Sequence, residues 1–183
     1  NEFVNIYRNI WVIVGNSSSG IHESSSFGIP AVNIGSRQQG RERASNVIDV
    51  SYEKESIKEL LEIGVHSGIE VTQNIQTDKM HVTQAFCSAL PISYNLNIND
   101  KELWKPFASI ILEAAYEATL LTAVKNKNYT NKVFLTLLGG GAFGNNESWI
   151  INAIKSSIKN TEHKGLDIKI VSYNDPTEKL KIL

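Results

Sequence analysis

The stretch IVGNSSSGIHESSSFGIP, residues 13–30, decides how this chain is read. An apolar run ends at Gly15, small hydroxyl side chains follow, and Glu23 opens a new helical pattern after Gly20. This is a buried strand handing over to a helix. The first N–H groups of a helix have no intrahelical partner, and the helix dipole adds partial positive charge there. Glycine admits a ligand close to the backbone, and serine hydroxyls donate to anionic oxygens, so such a loop can hold a phosphate or diphosphate. Ser17, Ser18, Ser19 and Gly20 supply that surface. Glu23, one turn on, is placed to accept from sugar hydroxyls. The plainer reading is an N-cap serine before an ordinary surface turn.

Outward from this unit, strand and helix patterns alternate. Short apolar runs at 10–15, 31–34 and 47–50 read as strands, and 54–63 places Ile57, Leu60 and Leu61 on one helical face. Residues 82–90 are strand-like. The longest helix spans 105–125, with Phe107, Ile110, Ile111, Ala114, Ala118 and Leu121 at three- and four-residue spacing and Pro106 in its first turn. A strand at 132–138, the loop GGGAFGNN, a helix at 147–160 and a strand at 167–172 follow. The fold class expected is α/β: three layers, with a mostly parallel sheet of about five strands and helices on both faces. The expected domain is a single one over 1–174 with a tail at 175–183. In such a sheet the loops at 16–20 and 139–145 open on one edge, at the carboxyl ends of parallel strands. The polar stretch 72–80 and the tail after Asn174 are expected to be mobile.

The chain of 183 residues is 42% apolar and 20% charged with a net charge of −1, which argues against nucleic acid and membrane surfaces as partners. No apolar run is read as long enough to span a membrane, no signal peptide is read, and the start at Asn1 suggests a fragment or a trimmed chain. The single cysteine, Cys87, rules out an intrachain disulfide and suggests a cytoplasmic setting, with an inert thiol expected there. His22, His66, His81 and His163 have no metal-binding spacing, so neither metal nor cofactor is expected. Glu113 and Glu117 read as a solvated helix face, Trp104 and Trp149 as core, and Lys125, Lys127 and Lys132 as too sparse for nucleic acid.

Residues 10–50, IVGNSSSGIHESSSFGIPAVNIGSRQQGRERASNVIDV at their centre, resemble the C-terminal part of hydrolysing UDP-N-acetylglucosamine 2-epimerases. The resemblance implies that Ser18, Ser19 and Gly20 contact a nucleotide diphosphate and Glu23 the ribose. It places Arg37 and Arg41 close to the nucleotide. The chain departs from the family at His22, where an aliphatic residue is usual, and at Ser24–Ser25, where Ala-Pro is common. The family's acid–base groups lie upstream of the serine loop, so the resemblance implies a binding half-site and leaves enzymatic activity open.

Residues 64–173 resemble the later part of a macrodomain-like family, through GVHSGIEVT, VTQAFCSALPISY, ILEAAYEATLLTA, VFLTLLGGGAFGN and LDIKIVSY. The resemblance implies that Gly139, Gly140, Gly141, Ala142, Phe143 and Gly144 wrap the diphosphate of ADP-ribose, with Asn145 or Asn146 capping the next helix. The alternative is a tight turn that needs glycine only for its dihedral angles. Two partial resemblances, over 1–55 and 64–174, suggest a chimeric chain. The expected function is binding of a nucleotide diphosphate-sugar or ADP-ribose. The competing readings are a protein-interaction module on an inherited scaffold, or a residual epimerase-like or ADP-ribose hydrolase-like enzyme.

Overall fold

The computed structural model describes residues 5, 8–10, 12–71, 80–94, 101–172 and 180. The chain divides into two compact units, Asn1–Leu60 and Leu61–Leu183. Both combine helices with parallel strands, so the α/β class holds.

In the first unit, β1 (Ile13–Gly15), β2 (Ala31–Ile34) and β3 (Val47–Val50) pair in parallel in that order. A 3-10 turn (Ser18–Gly20) and helix α1 (Glu23–Phe27) connect β1 to β2. The register aligns Ile13, Ala31 and Val47 on one face and Val14, Val32 and Ile48 on the other. The first row is the sheltered one: Ala31 is buried, as are Ile21 and Ile29 of the connecting segment. On the second row Val14 and Ile48 are exposed. Helix α2 (Lys54–Lys58) is shorter than the expected 54–63. None of its residues is buried, and a helix gains most of its stability from a packed face.

The second unit opens with β4 (Gly64–Glu70) and β5 (His81–Phe86), an antiparallel ribbon exposed on both faces. A register shift between His66 and Ile69, with Gly68 at φ 71°, brings Ile69 opposite Val82. Its main body is helix α3 (Lys105–Asn126), helix α4 (Glu147–Thr161) and the parallel pair β6 (Lys132–Thr136) and β7 (Asp167–Val171). Leu112 and Leu120 of α3 meet Ile150 and Ile154 of α4 in a core where all four side chains are inaccessible to solvent. Trp149 is buried there and Trp104 packs against it, as their sequence positions suggested.

Three expectations are corrected. The five predicted strands do not share one sheet: they fall in three separate ladders among the described residues. The 82–90 strand pairs instead with β4, its neighbour along the chain. Antiparallel neighbours need only a short connection, whereas a further parallel strand needs a crossover. The buried residues of α3 are Ala108, Leu112, Ala114, Ala115, Tyr116 and Leu120, so of the expected face Ala114 is buried while Leu121 is exposed. Apolar residues surround most of this helix, so their spacing does not single out one face. By length and composition the segment Lys101–Asn126 is also apolar enough to cross a membrane, contrary to the sequence reading. In this fold it is the central core helix of its unit.

Tyr116 ends β6. Its hydroxyl donates to the Thr136 carbonyl (2.8 Å) and accepts from the Leu138 N–H (2.9 Å), satisfying backbone groups just where the ladder stops. Burial raises its pKa above the ordinary tyrosine value. The segments expected to be mobile, 72–80 and the tail beyond Asn174, lie outside the described residues except for Met80 and Leu180.

Candidate functional site

The turn after β1 is built by its own serines. Ser17 caps the 3-10 turn, its Oγ accepting from the Ser19 N–H at 3.3 Å. Ser17 and Ser18 are exposed, Ser19 is half-buried and Gly20 is buried. Gly20 has no positive φ, and a Cβ there meets only Ile13 Cγ2 at an ordinary 3.5 Å. Neither backbone conformation nor packing therefore demands glycine at this position. Helix α1 is five residues long, with its dipole correspondingly small, so the site is the turn and its side chains rather than a helix terminus.

The Ser24–Ser25 departure has a clear structural use. Ser24 Oγ donates to the Gly20 carbonyl and Ser25 Oγ to the Ile21 carbonyl, both at 2.7 Å. Asn46, just before β3, donates to Ser24 Oγ at 2.9 Å and to the Ile29 carbonyl at 2.7 Å, and accepts from Ser25 Oγ at 3.1 Å. One amide thus ties the short helix to the entry of β3. The helix ends at Gly28 (φ 65°), a left-handed cap.

The second element is the loop RQQGR, residues 37–41, which follows β2. Gln38 is buried, and its Nε2 donates to the Asn16 carbonyl at 2.7 Å, joining this loop to the entrance of the serine turn. Arg41 Nη1 lies 3.2 Å from His22 Nε2, so the other family departure, His22, faces an arginine. Arg37 is exposed. Glu23 is half-buried, with its Oε2 buried and lacking a hydrogen-bond donor.

Below the loop, Arg43 Nε pairs with Asp49 Oδ2 at 2.5 Å, and Asn33 Nδ2 donates to Asp49 Oδ1 at 2.6 Å. The Asn33 hydrogen bond, with help from the Arg43 guanidinium, holds the Asp49 carboxyl below its usual value despite some opposing desolvation. A cavity of about 400 Å³ opens beside this pair, lined by Gly35, Ser36, Gln39 and Tyr52. The Tyr52 ring lies against Gly35 (φ 79°), so closely that any Cβ there would collide with it. The first unit therefore brings Ser17–Gly20, Glu23 and Arg41 into one neighbourhood. Gln38, Arg43, Asp49, Asn33 and Asn46 were not singled out from the sequence. Isolated polar side chains carry no periodic signal, and only the folded loops and the Asn33–Asp49 register place them.

The glycine loop after β6 is built differently. Gly139 (φ 74°) and Gly144 (φ 69°) adopt left-handed conformations, and a Cβ on Gly139 would stand 2.4 Å from Ala89 Cβ. Gly140 N–H donates to the Leu137 carbonyl and Gly144 N–H to the Gly141 carbonyl, so two amides of the expected anion nest serve the turn itself. Gly141 faces open space. Phe143 packs edge-on against Tyr94, and its carbonyl accepts from the Ser93 N–H at 3.0 Å. Asn146 is the cap of α4, accepting from the Ser148 N–H at 3.0 Å. Asn145 is buried and donates to the Leu90 carbonyl at 2.8 Å and to the Gly139 carbonyl at 3.3 Å. The turn reading accounts for Gly139 and Gly144 without a ligand. Because β1 and β6 belong to separate ladders, the expectation that the two loops open on one sheet edge loses its premise.

Cys87 is half-buried with Sγ 4.0 Å from Thr119 Oγ1, and burial pushes its thiol pKa up. Among the described residues no group of three or more His, Cys, Asp or Glu is placed to hold a metal ion.

The serine turn, Glu23 and the RQQGR loop lie within the part of the chain that is similar to known proteins. Residues 1–89 match the UDP-N-acetylglucosamine 2-epimerase family. This epimerase-like segment includes the whole first unit and extends through β5, past the residue 55 boundary read from the sequence. Among curated relatives, the UDP-N,N'-diacetylbacillosamine 2-epimerase (hydrolyzing) of Legionella pneumophila is 52% identical over 56 residues, 31% of this chain and 15% of that protein. The GDP/UDP-N,N'-diacetylbacillosamine 2-epimerase (hydrolyzing) of Campylobacter jejuni is 46% identical over 48 residues, 26% of this chain and 12% of that protein. The UDP-N-acetylglucosamine 2-epimerase of Neisseria meningitidis is 34% identical over 55 residues, 30% of this chain and 15% of that protein. The chain thus matches only about a seventh of these relatives' length. No solved structure matches significantly. The first unit lies wholly within the segment that matches the UDP-N-acetylglucosamine 2-epimerase family.

Proposed function

We propose that the first unit is a binding half-site for a nucleotide diphosphate-sugar, with the serine turn holding the diphosphate, Glu23 the ribose and the Arg37–Arg41 loop the phosphate charge. The observation that carries this reading is the convergence of three features. Exposed hydroxyls at Ser17 and Ser18 border a glycine that nothing in the fold requires. Glu23 holds a carboxylate oxygen that lacks a donor. Arg41 is held one residue from it, at His22. A carboxylate accepts from vicinal sugar hydroxyls, and hydroxyl, amide and guanidinium donors suit a diphosphate. The named relatives act on UDP- or GDP-linked amino sugars, which sets the ligand class to try first. Abstracting a proton from a sugar needs a base positioned against that carbon, and Glu23 in the ribose role is not available for it. Binding is accordingly the activity proposed, and epimerisation is not.

Calorimetry with UDP, UDP-N-acetylglucosamine, GDP and ADP-ribose tests this. UDP-type ligands are expected to bind, and Ser18→Ala with Ser19→Ala to weaken them by about 1–3 kcal/mol through lost charge-assisted hydrogen bonds. An affinity unchanged by the double substitution would reduce the serine turn to a capped bend. Binding of ADP-ribose that is abolished by Gly141→Val and untouched by the serine substitutions would favour the glycine loop as the nucleotide site. The protein-interaction reading draws on the exposed row Val14 and Ile48, since parallel sheets are ordinarily covered on both faces. It takes precedence if no nucleotide binds.

A further inference from the structure

We propose that Arg43 and Gln38 are positioning residues, which clamp the Arg37–Arg41 loop between the serine turn and β3. The inference rests on the nucleotide-diphosphate reading above. Neither side chain is expected to touch the ligand; they set where the residues that touch it stand.

The clamp is a continuous chain of contacts. From the sheet, Asn33 of β2 donates to Asp49 of β3 at 2.6 Å, and Asp49 forms an ion pair with the Arg43 guanidinium, whose Nε is close to the carboxylate but outside hydrogen-bond geometry. The same guanidinium then reaches the loop twice. Its Nη2 donates to the Gln38 carbonyl at 2.9 Å and its Nη1 to the Arg41 carbonyl at 2.5 Å. Gln38 completes the path through its side chain, which donates to the Asn16 carbonyl at 2.7 Å. Gln38 and Asn33 are each 3% exposed. Each has its amide nitrogen committed to an acceptor and its amide oxygen buried without a donor. A buried amide that satisfies only its nitrogen is costly to keep, which marks the nitrogen's contact as the one the site depends on. Three contacts from one side chain require the planar fork of arginine; a lysine ammonium on a flexible stem cannot reproduce them together.

The mechanical consequence is specific. Loop carbonyls 38 and 41 flank Gln39 and Gly40, and Gly40 sits at φ 81°. Fixing both carbonyls fixes the direction in which the Arg41 side chain leaves the loop. Fastening Gln38 to Asn16 then sets that side chain's distance from the serine turn. The carboxylate of Asp49 orients Arg43 and is in turn oriented by Asn33. A displaced phosphate-binding arginine loses its electrostatic contribution while the turn's neutral donors persist.

The test uses the full chain and UDP as probe. Affinity is measured by calorimetry across a salt series for wild type, Arg43→Lys, Arg43→Gln, Gln38→Leu and Arg41→Gln. The expected result is that Arg43→Gln and Gln38→Leu each weaken UDP binding about tenfold and flatten its salt dependence toward that of Arg41→Gln, because misplaced arginines no longer meet the diphosphate. Arg43→Lys, which keeps the charge and loses the fork, is expected to behave like Arg43→Gln. Equal weakening at every salt concentration would indicate loss of structure rather than of placement and would overturn the proposal, as would an Arg43→Lys protein indistinguishable from wild type. Amide hydrogen exchange reads the clamp without ligand: Arg43→Gln should speed exchange in 37–41 and also in 16–20. Exchange accelerated in neither segment overturns the clamp even where UDP binds. Faster exchange in both, with no UDP binding by wild type, leaves the clamp standing and sinks the nucleotide reading.

Discussion

In the first unit the turn after β1 is held by hydrogen bonds with little packing around its glycine, whereas in the second the loop after β6 adds a close steric fit to its hydrogen bonds. Asn46, Ser24, Ser25 and Gln38 fasten residues 16–29 through polar side chains, with Ser24 and Gln38 buried. The first unit's buried apolar residues are few, chiefly Ile21, Ile29 and Ala31. Around Gly139–Asn145 the left-handed glycines, Ala89 and the Tyr94–Phe143 contact interlock over a core of Leu112, Leu120, Ile150 and Ile154. The difference separates two reasons for a glycine. Gly139 is required by its φ and its neighbours; Gly20 is required by neither. A loop whose glycines are explained by packing gives less reason to invoke a ligand than one whose glycine is not.

The contrast can be broken at its strongest point first. Gly139→Ala combines a strained backbone with a Cβ driven into Ala89, and is expected to cost about 3 kcal/mol. Urea unfolding followed by the fluorescence of buried Trp149 measures it, and a loss under about 1 kcal/mol would remove the steric account. Next, Asn46→Ala in the first unit removes three side-chain hydrogen bonds and leaves the Ile29 carbonyl without its amide partner. The expected cost is about 2 kcal/mol. It should appear as faster amide exchange in Ala31–Ile34, with exchange in α4 unchanged. The smallest effect belongs to Gly20→Ala, within about 1 kcal/mol of wild type in stability because the added methyl meets only an ordinary contact. The same substitution should weaken UDP binding, since it narrows the backbone's approach to a phosphate. A large loss of stability at Gly20 would erase the distinction between the two loops.

Much of the local structure was legible in the sequence. The short strands at 31–34 and 47–50, the helix at 105–125 with Pro106 in its first turn, and the cap before 147 all follow from periodicity and capping chemistry. Which strands pair was not legible, because pairing depends on partners distant along the chain. β5 reads the same whether it joins a parallel sheet or turns back on β4. The α3 face was misjudged because Ile110, Ile111 and Leu121 are as apolar as the buried Leu112 and Leu120. At the candidate site, Ser17–Gly20 and Glu23 stood out because hydroxyls and glycine after an apolar run have a known chemical use. Asn46 and Asp49 did not, because an isolated polar residue announces nothing until the fold brings Asn46 to Ser24 and the register sets Asp49 opposite Asn33.

The central claim is that the nucleotide half-site lies in residues 16–43 of the first unit. Backbone amide chemical-shift mapping of the ¹⁵N-labelled chain during a UDP titration tests it most directly. The account predicts saturable shifts at Ser17–Glu23 and Arg37–Arg43, with Gly139–Asn146 unmoved. Shifts confined to Gly139–Asn146, or none at millimolar UDP, would contradict it.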